Sequence, residues 1–121
     1  MKITRLYSDE YGESHFEDLD IPLKDAGEIG SLSDIYPVTA MMLRENPGNY
    51  SYDWHPAPRK QYIVMLEGML MVRVSDGEER SFPPGTILLV EDTDGIGHKS
   101  WVPDGKPRKS IFISIGDKKT V

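Results

Sequence analysis

The chain has no cysteine, which removes disulfide frameworks, thiolate metal sites and cysteine nucleophiles from consideration. Basic residues are also in the minority, 14 against 20 acidic, for a net charge of −6. Residues 1–35 hold nine acids against three bases, and the remainder balances at eleven each. Binding to a phosphate backbone needs clustered lysine and arginine, so nucleic acid is excluded as a partner, and anionic membranes with it. Long apolar runs are missing too: "IVML" and "TILLV" fall far short of a membrane span, and "MKITRLYSDEYGESHF" has no apolar signal core. A cytoplasmic location is the expectation. Finally, no stretch sustains four turns of helical periodicity.

What the sequence does contain is turn chemistry. Eleven glycines and nine prolines in 121 residues favour turns over long helices. From Tyr36 onward, short strand-like segments alternate with turns: "YPVTAMMLRE", "YSYDWH", "KQYIVML", "MLMVRVS", "ERSF", "TILLVED", "HKSWV" and "KSIFISIG". Asp76-Gly77 in "VSDGEER" is a strong hairpin signal, and "FPPGT" is a wider turn whose prolines bar a central strand. Several short strands with a turn every 8 to 12 residues predict a single all-β domain of sandwich or barrel type. Residues 1–35 are expected to supply strands and loops that pack on a barrel formed by residues 36–121. His15, alone among the carboxylates of "ESHFEDLD", is expected on the solvated surface.

The span from Gly48 to His98 resembles the two signature motifs of the cupin family. The first motif, G-x5-H-x-H-x3,4-E-x6-G, aligns His55 with its first histidine, Ala57 with its second, Gln61 with its glutamate and Gly68 with its closing glycine; Gly48 lies one residue early. Gly77, Pro83, Pro84 and Gly85 match the first half of the second motif. His98, the only histidine after Gly85, follows the acidic loop "EDTDGIG" and takes the second motif's histidine position. The resemblance implies a small jelly-roll barrel, a double-stranded β-helix of the RmlC-like type, with a site in its interior.

In metal-binding cupins three histidines and a glutamate converge on iron, manganese, nickel or zinc. Here the resemblance implies a divalent metal held by His55, Gln61 and His98, with the second histidine lost to Ala57 and the carboxylate replaced by an amide. An amide keeps an oxygen donor but removes the negative charge that offsets the ion. The same two imidazoles, His55 and His98, can instead serve as catalytic base and acid without an ion.

Around them, Arg59 and Arg44 are candidate ligand-binding residues, because a guanidinium grips carboxylate or phosphate in a planar fork. Among Glu91, Asp92 and Asp94, Glu91 is the first choice to supply an anion or orient His98, since it ends an apolar strand. Met65, with Met42, Met69 and Met71, offers a soft apolar lining. Tyr50, Tyr52 and Trp54 alternate, so with His55 inward they are expected to face outward and to be covered by another subunit, predicting a homodimer. Three functions follow: an enzyme acting on a polar or anionic small molecule (cupins of this size include dioxygenases, isomerases, dehydratases and decarboxylases), a non-catalytic binding or sensing protein, or a structural protein with a vestigial pocket.

Overall fold

The structure is a computed structural model that describes residues 1–116. Twelve strands follow in order: β1 (Lys2–Ser8), β2 (Ser14–Asp20), β3 (Lys24–Asp25), β4 (Ser31–Leu32), β5 (Ala40–Asn46), β6 (Ser51–His55), β7 (Gln61–Glu67), β8 (Leu70–Val74), β9 (Glu79–Phe82), β10 (Ile87–Glu91), β11 (His98–Trp101) and β12 (Arg108–Ser114). One 3₁₀ turn, Gly27–Ile29, is the helical element. No helix among the described residues is long and apolar enough to cross a membrane.

Six strands form one sheet in the order β2-β1-β10-β7-β12-β5, and four form a second in the order β6-β11-β8-β9. Period-2 alternation sends one side of each strand into the space between them. Gln61, Ile63 and Met65 of β7 are buried, as are Leu70, Val72 and Val74 of β8 and Arg108, Ser110, Phe112 and Ser114 of β12. Leu6, Phe16, Phe82, Leu88 and Val90 close the apolar core. The Asp76-Gly77 turn joins β8 to β9 as expected, with Gly77 at φ 101° and the Glu78 amide donating to Oδ1 of Asp76 at 2.9 Å.

The amino-terminal strands do more than pack on a barrel. β1 pairs in parallel with β10, Thr4 opposite Leu88 through Tyr7 opposite Glu91, and antiparallel with β2, so both belong to the larger sheet. The β1–β2 hairpin is then clasped to the β8–β9 hairpin by His15, whose Nε2 lies 2.7 Å from Asp9 and whose Nδ1 lies 2.8 Å from Asp76. The surface assignment of His15 holds only in part, since its side chain is 27% exposed and bonded on both sides.

Two predictions test this integration. Leu6 is fully buried, so Leu6→Ala should cost about 2–5 kcal/mol in urea denaturation; a cost under about 1 kcal/mol, usual for a surface change, would show that β1 only rests on the barrel. The hydrogen bonds to Asp9 and Asp76 raise the His15 imidazole above its ordinary value against a smaller effect of burial. A group raised by folding stabilises fully below its unfolded value, about 6.5, and loses that contribution as pH rises through the folded value. Wild type should therefore lose melting temperature relative to His15→Gln as pH rises above about 6.5.

Candidate functional site

His55 ends β6 and His98 begins β11, and the two are direct cross-strand partners. Their ring centroids lie 4.5 Å apart with planes tilted by 54°. Gly97 makes this approach feasible: at φ 77°, a Cβ there would stand 2.0 Å from the His55 carbonyl oxygen. Its own carbonyl accepts a 2.6 Å bond from the Ser14 hydroxyl, tying the start of β11 to β2.

Each imidazole is oriented through Nδ1. His55 Nδ1 lies 2.7 Å from the Asp53 carbonyl, which only accepts, so that nitrogen carries hydrogen. His98 Nδ1 lies 2.5 Å from Oδ2 of Asp92, a residue with no exposed surface. Nε2 is thus the nitrogen each ring has left for other partners. Burial lowers His55 below the ordinary imidazole range, opposed by its backbone bond to Asp53, so the ring is neutral at neutral pH. Burial likewise raises the Asp92 carboxyl, against the pull of His98.

Both rings line a cavity of about 300 Å³. Gln61 opens β7 on its wall, Ala57 stands where a second motif histidine would, and Arg44 and Arg59 line it as the sequence suggests. Ile63, Leu88, Val90 and Phe112 give it apolar walls, and Tyr50, Tyr52, Ser100 and Arg108 add further polar ones.

Three expectations are corrected. Glu91 does not reach the site. On β10, Leu88 and Val90 line the cavity, so Glu91 turns to the opposite face, where it meets Arg5 at 2.5 Å and Lys60 at 3.9 Å; the next position in the inward series is Asp92, which holds His98. Met65 shares the inward face of β7 but lies in the packed core, away from the cavity.

Tyr50 and Tyr52 share the cavity side with His55, the ring centroid of Tyr52 lying 3.8 Å from that of His55. A bulge is the cause: between the pairs His98–His55 and Ser100–Tyr52, β11 advances two residues and β6 three, which reverses the parity of alternation. Tyr52 stays 53% exposed at the cavity and Trp54, 40% exposed, turns outward beside Lys99, so the three aromatics do not form one outward row.

One lining residue was missed altogether. Arg108 is 1% exposed at the first position of β12. Its sequence surroundings, "DGKPRKS", read as a solvated turn, and the only available signal was its parity with Phe112.

A cupin-type metal has a poor fit here. Two imidazoles and the neutral Gln61 amide face the cavity, and among the described residues no three His, Cys, Asp or Glu side chains are placed to hold a metal ion. Asp92 is turned toward Nδ1 of His98, while three arginines line the same space. A dication would lack an anionic ligand and sit among cations, so this donor set does not fit a resident transition ion.

No protein-family model matches the chain, and no curated protein matches it in sequence. Solved structures do match in shape. An RmlC-like cupin family protein with a double-stranded β-helix fold from Methanocaldococcus jannaschii aligns over 65% of this chain and 71% of its own, with 11% identity and a TM-score of 0.55. A cupin-2 domain containing protein from Shewanella frigidimarina aligns over 63% and 69%, with 18% identity and a TM-score of 0.50. A putative ethanolamine utilization protein Q from Salmonella typhimurium aligns over 94% of both chains, with 14% identity and a TM-score of 0.50. The fold is that of a small cupin, all-β and barrel-shaped, as the sequence motifs implied.

The close approach at Gly97 generates a prediction. Gly97→Ala combines a positive φ, costing about 1–2 kcal/mol, with a clash against the His55 backbone worth about 1–3 kcal/mol more. Gly77→Ala shares the positive φ but meets nothing within 4 Å. In parallel urea titrations the Gly97 variant should lose clearly more stability than the Gly77 variant; equal losses would remove the claim that β6 and β11 touch there.

Proposed function

We propose that this cupin-fold barrel binds a small polar or anionic molecule and exchanges protons with it through His55 and His98, the latter backed by Asp92, without a resident metal. The observation that carries this reading is the meeting of two imidazoles from the paired strands β6 and β11 in one cavity, each engaged through Nδ1 and each retaining Nε2. Imidazole is the side chain whose proton affinity best matches neutral pH. The buried Asp92 carboxylate holds the His98 ring in place and offsets positive charge that forms on it when Nε2 takes a proton, the task a carboxylate performs behind a catalytic histidine. His55, neutral by burial, supplies a second Nε2 on the other side. A cavity of about 300 Å³ lies at the small end of ligand pockets.

Ala57 favours a second reading, a non-catalytic binding or sensing protein, because the position that completes a cupin reaction centre has lost its imidazole. The two readings differ in proton traffic. Tag-free protein is screened by thermal shift against carboxylates, sugar phosphates and neutral sugars, and each compound that binds is titrated calorimetrically in two buffers of different ionisation enthalpy. Proton uptake or release near pH 7 that is at least halved in both His55→Ala and His98→Ala is the expected result. Proton-neutral binding would support the sensing reading. One equivalent of metal in wild type, lost in His55→Ala, would overturn the metal-free assignment.

A further inference from the structure

The six arginines divide into two sets of three. Arg5, Arg73 and Arg80 form ion pairs on the surface. Arg44, Arg59 and Arg108 line the cavity and form no ion pair among the described residues. Among the described residues no aspartate or glutamate lines that cavity, although the chain as a whole carries −6.

Arg108 is the extreme case. Its Nη2 donates to Oδ1 of Asn46 at 2.5 Å, its guanidinium lies 5.1 Å from the Tyr50 ring, and its Nε is buried with no hydrogen-bond partner. A neutral amide and an aromatic face do not offset the cost of taking a guanidinium out of water. Beside it, Arg44 lies 3.9 Å over the Phe112 ring and stands opposite Ser110, whose buried hydroxyl is also unpartnered. Burial lowers the proton affinity of Arg108, and the nearby Arg44 charge lowers it further against an opposing effect of Tyr50. Two like charges held together at the wall of an acid-free cavity lack one component, an anion.

We propose that Arg108 and Arg44 are the anchor for the oxyanion group, carboxylate or phosphate, of a small organic acid that fills the barrel. The assignment rests on the reading of the cavity as a small-molecule site, and adds the charge and attachment point of what binds. Guanidinium forks match the paired oxygens of such groups, and the space, about ten water volumes at roughly 30 Å³ each, suits one acid group on a small carbon frame. With the oxyanion at the arginines, the rest of the molecule is left for His55 and His98.

Four probes test the anchor by thermal shift and calorimetry: succinate, benzoate, inorganic phosphate and, as a neutral control, benzamide. They are measured on wild type, Arg108→Met, Arg108→Lys, Arg44→Met and His98→Asn. At least one anion should raise the wild-type melting temperature while benzamide does not, and whether carboxylates or phosphate do so identifies the oxyanion. Loss of a charge-assisted hydrogen bond predicts at least about tenfold weaker binding in Arg108→Met and in Arg44→Met. Arg108→Lys, which keeps the charge and loses the fork, should fall between.

A second readout separates an anchor from a structural arginine. Methionine fills the same volume without a buried charge, so ligand-free Arg108→Met should melt at or above the wild-type temperature. A lower melting temperature together with undiminished anion binding would show that Arg108 only supports the fold. Anion binding that survives both arginine variants but fails in His98→Asn would overturn the anchor and leave the small-molecule site standing. No response to any of the three anions at 20 mM would overturn the anchor, and a response to benzamide alone would do the same.

Discussion

The site depends on the seam between β6 and β11. That pairing puts His98 opposite His55 and Ser100 opposite Tyr52, with one extra residue taken up on β6 between them. The seam closes only because Gly97 carries no Cβ at a point where one would overlap the His55 carbonyl. From that single steric allowance follow the adjacency of the two imidazoles, the inward turn of Tyr52 and the position of Asp92, whose carbonyl receives the Ala57 amide at 2.9 Å while its carboxylate holds His98. A bulge beside a candidate site is a recurrent way to re-aim a side chain without changing the sheet.

The fold was largely legible because its signals are local. Strand parity, the Asp76-Gly77 turn and the double proline before Gly85 each act over a few residues, and β9 and β11 begin at the residues that pattern indicates. His55 was legible by motif spacing, and His98 as the only histidine after Gly85. The anionic partner of His98 was misjudged by one position: Glu91 was favoured because it ends an apolar strand, whereas the inward series Leu88, Val90 and then Asp92 decides it. Tyr50 and Tyr52 could not be placed correctly, because a bulge is a property of two paired strands and leaves no mark in one of them. Arg108 was hidden by its neighbours. A basic residue after Lys106 and Pro107 reads as solvated, and only the three-dimensional pairing of β12 with β5 and β7 turns it inward.

Charge is distributed against the bulk composition. The surface of an acidic chain surrounds a cavity whose basic lining, among the described residues, is three arginines and two histidines. An acidic exterior around a cationic interior focuses attraction for small anions at the pocket, since field lines in a low-dielectric cleft are screened less than those at the surface. The surface arginines are already neutralised by Glu17, Glu91, Glu79, Asp18 and Glu78. The interior set is the one with charge to spare.

The departures from the cupin ligand set and the interior arginines belong to one electrostatic account. A full cupin centre brings a dication and a carboxylate into the barrel, and a substrate anion there is balanced by the ion. Replacing the glutamate by Gln61 and the second histidine by Ala57 removes both the negative ligand and a place to bind the ion, so an anion in the barrel must be balanced by the protein itself. In the proposed reading Arg108 and Arg44 do this without a metal, while Asp92, buried behind His98 and outside the cavity lining, supports the imidazole. Restoring only one element of a metal centre, for example Gln61→Glu, would place a carboxylate in a cavity lined by arginines. That carboxylate would pair with them and occupy the site its ligand needs, so the amide at position 61 is as much a condition for anion binding as the guanidinium at position 108.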